Sequence, residues 1–195
     1  MESLFNLKDK NAIITGSSRG IGKAIAYRMA EHGAKVIITS RKLDACEAVA
    51  KEINDTFGEG HATSIACNIS DKEQLQNLYK KSLDFCGNIS TLVCNAAINP
   101  YFGPSNKIPD EAFEKIMKSN VQSNFWLCNE VLPDMIKMKN GSIIIISSIA
   151  GLHGSSMLGA YAISKAADSQ LARNISVEYG RNNIRANCIS PGLIK

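Results

Sequence analysis

The sequence predicts an α/β fold, a doubly wound parallel sheet with helices on both faces. Three observations predict it. Apolar, β-rich runs alternate with longer segments of helical period, the pattern of successive βαβ units. Several runs carry no polar alternation, as strands covered on both faces do. The first run also passes directly into a glycine-rich turn and then a helical segment.

Strands are predicted at residues 11–15, 35–40, 63–67, 91–95, 142–147 and 185–190, and helices at 20–32, 43–57, 72–86, 111–137 and 157–179. Phe125 and Trp126 lie among apolar neighbours on the long fourth helix and read as packing residues. Two long irregular stretches, 96–109 and 150–156, follow the C-terminal ends of strands, where open α/β sheets place their ligands. No repeat, low-complexity tract or linker interrupts the pattern, so residues 1–195 are expected to form a single domain.

Bulk properties narrow the function classes. A chain of 195 residues can bury a real core, and 45% hydrophobic with 21% charged residues is ordinary for a soluble protein. The net charge of +4 is slight, and the cations are scattered rather than gathered into a stripe that would bind nucleic acid. The six cysteines (Cys46, Cys67, Cys86, Cys94, Cys128, Cys188) form no C-x-x-C pair and no Cys/His cluster. They read as small buried hydrophobes in a reducing compartment, with no metal site. The sequence MESLFNLKDKN lacks a signal-peptide pattern, and no apolar run reaches membrane-spanning length, so the expected location is cytoplasmic, with no membrane partner.

The glycine turn is Thr15-Gly16-Ser17-Ser18-Arg19-Gly20-Ile21-Gly22. Gly16 permits the tight turn, Gly20 lets the backbone approach a diphosphate, and Gly22 is expected to let the helix pack closely on the strand. A diphosphate there would sit at the positive end of the helix dipole. The second strand ends Ser40-Arg41-Lys42, with no carboxylate to bind a free ribose hydroxyl. Arg41 instead offers a planar fork suited to a 2′-phosphate, Lys42 adds a point charge, and Arg19 is a further cation in the loop. These residues favour NADP(H).

Tyr161 and Lys165 are four apart and share one helix face. A lysine cation beside a phenol favours the phenolate and makes the tyrosine a usable proton carrier. A Tyr-x-x-x-Lys pair alone occurs on many helices; here it stands in register with the glycine loop and with further motifs. His153 follows the fifth strand with no carboxylate partner evident and reads as a substrate-side or surface residue.

The motif TGSSRGIG resembles the cofactor loop of the compact branch of the short-chain dehydrogenase/reductase family, which has a Rossmann-like fold. The likeness continues in order through Cys94-Asn95-Ala96-Ala97, Asn120, Ser147-Ser148, Tyr161-Ala162-Ile163-Ser164-Lys165 and Pro191-Gly192. It implies a cofactor held by Gly16, Ser18, Arg19, Gly20, Ile21, Gly22, Ser40, Arg41, Lys42, Asn68, Asn95, Ala96, Tyr161, Lys165, Pro191, Gly192 and Ile194. It also implies a carbonyl-orienting role for Ser148, thirteen residues before Tyr161, with Ser147 as a structural neighbour. Asn120 matches the family asparagine that holds a helix distortion and a water feeding protons towards the lysine. Two positions depart from the family pattern: Ala97 replaces a common glycine, and Asn68 replaces a common adenine-contacting acid, though its carbonyl oxygen can still accept from an adenine amino group.

The resemblance implies an NADP(H)-dependent oxidoreductase that reduces a carbonyl to an alcohol, or the reverse, with Tyr161 as proton donor. It also implies a small-molecule substrate and a homo-oligomer, a tetramer by family likeness. Relatives continue past Pro191-Gly192-Leu193-Ile194-Lys195 with a threonine, a substrate-covering helical lid and a seventh strand. The fold is therefore expected to be truncated before its last strand and to lack that lid. Asn95–Gly103 and residues 190–195 look similar to NADPH-dependent carbonyl/retinal reductases. 3-Oxoacyl-carrier-protein reductases and polyol or gluconate dehydrogenases are the other enzyme readings, and sugar-nucleotide epimerase or dehydratase chemistry is a further one. A non-catalytic cofactor-binding or oligomerisation module is the alternative from another class.

Overall fold

The computed structural model describes residues 4–194. Its elements are β1 (Asn11–Thr15), α1 (Gly20–Glu31), β2 (Lys35–Ser40), α2 (Leu43–Phe57), β3 (Ala62–Ala66), α3 (Lys72–Cys86), β4 (Thr91–Cys94), α4 (Asp110–Met117), α5 (Ser123–Met138), β5 (Gly141–Ile146), α6 (Gly159–Tyr179) and β6 (Ile184–Ile189). The strands form one sheet in the order β3-β2-β1-β4-β5-β6, with every pairing parallel. This is the doubly wound α/β architecture expected. The connections from β1 lead outward through β2 and β3, and those from β4 lead the other way, so the topology reverses between β1 and β4. That is where such sheets open a ligand crevice at their carboxyl ends.

Alternation along each strand builds two cores. Ile13, Ile37, Leu92, Ile143 and Ile145 join Leu75 and Leu78 of α3, Leu127 and Val131 of α5, and Ala172 and Ile175 of α6. Ala12, Ile14, Val36 and Ile38 meet Ala26 and Ala30 of α1 and Cys46, Val49 and Ile53 of α2. Cys46, Cys67, Cys94 and Cys128 are buried and all six thiols are free, as small core residues. No helix among the described residues is long and apolar enough to cross a membrane.

Several boundaries differ from the sequence pattern. β3, β5 and β6 each start and stop one residue earlier than expected. β4 stops at Cys94 because the Asn95 N–H leaves the ladder and donates to Thr15 Oγ1 at 2.9 Å. The single helix expected over 111–137 is two helices joined by a π turn at Lys118–Gln122. Side chains that bond backwards explain the break: Ser123 Oγ donates to the Ser119 carbonyl (2.6 Å) and Asn124 Nδ2 to the Asn120 carbonyl (2.7 Å). Trp126 packs against the first core, as expected, but Phe125 is 50% exposed and is not a core residue.

Candidate active site

β1 ends at Thr15, whose Oγ1 accepts from the backbone N–H groups of Asn95 (2.9 Å) and Ala96 (3.0 Å). Asn95 returns the contact: its Nδ2 donates to the carbonyls of Thr15 (2.8 Å) and Gly16 (3.2 Å). The two halves of the sheet are thus tied at the topological switch. Ser17 braces the loop against β2, donating to the Ile14 carbonyl (2.6 Å) and accepting from the Thr39 N–H (2.9 Å). Sequence reasoning did not single out Ser17; a fully buried hydroxyl inside a glycine loop leaves no periodic signal.

Gly16 and Gly20 have the geometry expected of them, and Gly22 departs from it. Gly16 has φ +66, and a Cβ there would stand 3.0 Å from Ala96 Cα. At Gly22 a Cβ would come within 2.4 Å of the Gly16 carbonyl oxygen and 2.6 Å of Asn95 Nδ2. Gly22 therefore lets α1 close onto the loop and Asn95 rather than onto the strand. Gly20 (φ +56) faces open space, with no atom within 4 Å of the point a Cβ would occupy. α1 begins there with no side-chain cap from Arg19, leaving its positive end to a ligand. A backbone cradle with free space over Gly20 and an uncapped helix start fits a dinucleotide diphosphate. Ser18 is half-buried beside it, while Arg19, Gly20 and Ile21 are exposed.

The residues expected on the adenosine side follow the C-terminal ends of β2 and β3. Arg41 and Lys42 are exposed. Among the described residues neither they nor Arg19 form an ion pair, so their charges are uncommitted. Ser40 Oγ is 3.1 Å from Cys46 Sγ. Asn68 Oδ1 accepts from the Ser70 N–H at 3.2 Å, which leaves that oxygen one lone pair for an adenine amino group.

A cleft of about 180 Å³ gathers the other predicted residues: Ile21, Asn95, Ser148, Tyr161, Lys165, Pro191 and Gly192 line it with Ala97, Ile146 and Ser147. Ile194 lies outside it and is 65% exposed. His153 is exposed in the loop after β5. A larger open concavity of about 470 Å³, lined by Asn6, Lys8, Glu31, His32, Gly33 and His61, contains none of the predicted site residues. Its size does not make it the site, because the polar groups able to do chemistry converge in the smaller cleft.

Within the cleft, Lys165 Nζ lies 5.9 Å from the centre of the Tyr161 ring. Ser148, in extended backbone, caps a short 3-10 turn at Ile149–Gly151 by accepting from the Ala150 N–H. Ser147 Oγ donates to the Lys165 carbonyl at 2.7 Å and is buried, a structural neighbour as expected. Gly151 packs that turn on α6: a Cβ there would stand 2.7 Å from the Lys165 carbonyl carbon.

Asn120 is not among the cleft-lining residues but sits fully buried in the π turn, the distorted helix the resemblance implied. Its amide clasps Ile98, accepting from the N–H (2.9 Å) and donating to the carbonyl (3.0 Å), and also donates to Ser164 Oγ (3.0 Å). It thereby anchors the irregular stretch that follows β4, whose far end bonds through the Gly103 N–H to the Met157 carbonyl just before α6. Two buried residues that sequence reasoning passed over stand behind the lysine, Asp168 touching it and Asn124 touching Asp168. Asp168 accepts from Lys165 Nζ (2.9 Å) and from Asn124 Nδ2 (2.9 Å).

Comparison with known proteins agrees with this fold. The short chain dehydrogenase family model matches residues 10–195. Dehydrogenase/reductase SDR family member 4 of Sus scrofa is 38% identical over 190 residues, covering 97% of this chain and 67% of the relative. The protein of the same name from Oryctolagus cuniculus is 40% identical, covering 97% and 72%. Human dehydrogenase/reductase SDR family member 2, mitochondrial, is 37% identical, covering 97% and 66%. A solved 7 alpha-hydroxysteroid dehydrogenase, complexed with NADH and 7-oxo glycochenodeoxycholic acid, superposes with a TM-score of 0.91 at 36% identity, covering 96% of this chain and 72% of that one. The chain belongs to the short chain dehydrogenase family of oxidoreductases, and that membership implies a nicotinamide cofactor.

Proposed function

We propose that the protein is an NADP(H)-dependent oxidoreductase that interconverts a small-molecule carbonyl and its alcohol. The observation that carries this reading is the convergence of Ser148, Tyr161 and Lys165 on one cleft beside the glycine loop. A nicotinamide dinucleotide, when bound, supplies or accepts the hydride. Gly16, Ser18, Gly20, Ile21 and Gly22 hold its diphosphate against the start of α1, while Asn95, Ala96, Pro191 and Gly192 border its nicotinamide end. Ser148 orients the carbonyl oxygen and Tyr161 gives that oxygen its proton. Lys165 holds positive charge near the phenol and bonds the ribose. Asn120 acts from behind, keeping the loop and α6 in register.

The free cations Arg41, Lys42 and Arg19, with no acid at the end of β2, support a 2′-phosphate and hence NADP(H). The bound NADH of the hydroxysteroid dehydrogenase favours the opposite reading, and the charges at the end of β2 outweigh it because they belong to this chain. Substrates of the carbonyl/retinal type suit the sequence of the stretch after β4; 3-oxoacyl carriers and polyols are the competing classes. A homo-oligomer, tetrameric by family likeness, fits the exposed Phe125 of α5 and Val177 of α6. The free, mostly buried thiols suit the reducing cytoplasm.

The test is a panel of ketones, diketones and retinal offered with NADPH and with NADH, read by loss of reduced-nicotinamide absorbance. The expected result is reduction with NADPH that disappears in Tyr161→Phe. Binding of NADPH with no turnover of any carbonyl would instead support the non-catalytic module.

A further inference from the structure

Lys165 is 2% exposed, and the one carboxylate it meets among the described residues, Asp168, is fully buried three residues further along α6. The ammonium spends two of its three protons inside the protein, on the Ile146 carbonyl (2.8 Å) and on Asp168 Oδ2 (2.9 Å). The other carboxylate oxygen accepts from Asn124 Nδ2 (2.9 Å), and the same amide bonds the Asn120 carbonyl (2.7 Å). A continuous chain of hydrogen bonds therefore runs from the π turn through Asn124 and Asp168 to the lysine of the cleft. We propose that Asp168 is a positioning residue for this site: it is the buried counter-ion that keeps Lys165 charged and, oriented by Asn124, fixes where its Nζ stands. The inference rests on the functional reading above for what the lysine does, but not for the pairing itself.

The physics follows from burial. An isolated ammonium out of water is driven to its neutral form, and a neutral amine could neither favour a phenolate at Tyr161 nor donate strongly to a ribose hydroxyl. The other titratable groups around the pair do not replace Asp168. Tyr161 lies on the same helix with its ring centre 5.9 Å away. Cys94 at the end of β4 bonds Cys128 of α5, and its thiol is held well above its ordinary range by that bond and by burial, so it contributes no negative charge. Burial holds the Asp168 carboxyl above its ordinary range, and the Lys165 charge with the bonds from Lys165 and Asn124 offsets only part of that rise. The pair is stable as a pair: each charge depends on the other. With two donors engaged inside, one ammonium proton is left for the cleft, which gives the lysine a single direction of donation.

The test uses the protein with isotope-labelled lysine, following the Lys165 Cε resonance by NMR along a pH titration and assigning it by its loss in Lys165→Met. Asp168→Asn, which keeps the shape and removes the charge, is expected to lower the Lys165 titration midpoint by about one unit or more. NADPH affinity, followed by fluorescence, should then fall at the same lower pH in Asp168→Asn and stay indifferent to Asp168 in a Lys165→Met background. An unchanged midpoint in Asp168→Asn overturns the proposal. So does a shifted midpoint with no change in the pH profile of binding, which would make the pair structural only. If Asp168→Asn fails to fold while the Lys165→Met/Asp168→Asn double variant folds, the dependence of the buried ammonium on its counter-ion is demonstrated directly; failure of both overturns it in favour of a packing role. Absence of NADPH binding by the unmodified protein would defeat the functional reading, and the NMR titration would still report on the pair.

Discussion

Gly22 and Asn95 stand closer than any side chain at position 22 would permit: a Cβ there would lie 2.6 Å from the asparagine amide nitrogen and 2.4 Å from the Gly16 carbonyl oxygen. The carbonyl is backbone and cannot swing aside, and Asn95 is held by its bonds to Thr15 and Gly16. Gly22→Ala is therefore expected to destabilise the fold by about 1–3 kcal/mol through overpacking, and to weaken NADPH binding further by displacing the loop. Gly20→Ala meets no atom but must keep φ +56, so strain of about 1 kcal/mol or more is expected from the backbone alone. Urea unfolding and NADPH fluorescence titration on both variants check this. A Gly22→Ala protein as stable as the unmodified one would mean that the loop adapts.

Cofactor preference should invert at one position. Arg41 is exposed and unpaired among the described residues, so its guanidinium is available to a 2′-phosphate. Arg41→Asp removes that partner and introduces a carboxylate that repels phosphate but accepts from a free ribose hydroxyl. NADPH is expected to bind better than NADH before the change and worse after it. Equal affinities in the unmodified protein would remove the basis for the NADP(H) assignment.

What the sequence made legible follows from which interactions are local. The glycine loop, the apolar strand runs and the Tyr161/Lys165 face are set by residues within a few positions of one another, and all appear within one residue of where the pattern put them. The break between α4 and α5 was hidden from periodicity, because helical period runs across it, and only the family likeness of Asn120 implied a distortion there; what breaks the helix is the backward bonding of Ser123 and Asn124. Asp168 and Asn124 were hidden for a related reason. Polar residues at helical spacing read as a solvated face, and only the packing of α5 against α6 buries them. Gly22 was legible as a close approach, but of its two neighbours only Gly16 is local; Asn95 comes from the end of β4, and no local pattern names it. Phe125 failed in the opposite sense, an apolar residue left half in solvent.

Tyr161 and Lys165 should separate chemistry from binding. Tyr161→Phe deletes one hydroxyl, and positioned proton donation contributes about 10²–10⁴-fold, so turnover should fall within that range while NADPH affinity stays near normal. Lys165→Ala should lose affinity as well, because the lysine serves both the phenol and the ribose. Comparing kcat with cofactor Kd in the two variants tells them apart. Retention of more than about a tenth of the rate in Tyr161→Phe would end the assignment of the tyrosine as proton carrier.

Alkaline stability should carry the signature of a buried thiol. Burial pushes Cys67 from 9.0 up to about 12. The folded state thus holds its proton more tightly than the unfolded chain, so this contribution is fully present below about pH 9 and is lost as pH rises towards about 12. Urea midpoints measured across that window should decline, and the decline should be shallower in Cys67→Ala. Raised values at Cys86 and Cys94 leave a residual slope in the variant. Identical slopes in both proteins would exclude Cys67 as a contributor.

Asn120 offers the sharpest test of how the fold supports the site from behind. Its amide is fully buried and makes three bonds: two to the backbone of Ile98 and one to Ser164 Oγ, which itself donates to the Tyr161 carbonyl. Asn120→Ala deprives both half-buried backbone groups of Ile98 of their partner, and an unmade bond costs about 1–3 kcal/mol where water does not replace it. A loss on the order of 2–3 kcal/mol in unfolding free energy is expected on that scale, with the stretch 96–109 opening before the rest of the fold. Asn120→Asp should do no better, since a carboxylate can still accept from the Ile98 N–H but faces the Ile98 carbonyl with no proton to give. NADPH binding draws on the glycine loop and the end of β2, which Asn120 does not touch, and should fall less than carbonyl turnover, which needs the stretch after β4 and α6 in register around Tyr161. Limited proteolysis and hydrogen exchange over residues 96–109, read beside kcat and cofactor Kd, resolve the three effects. Unaltered protection of that stretch in Asn120→Ala would show that Ile98 is held by something other than this side chain.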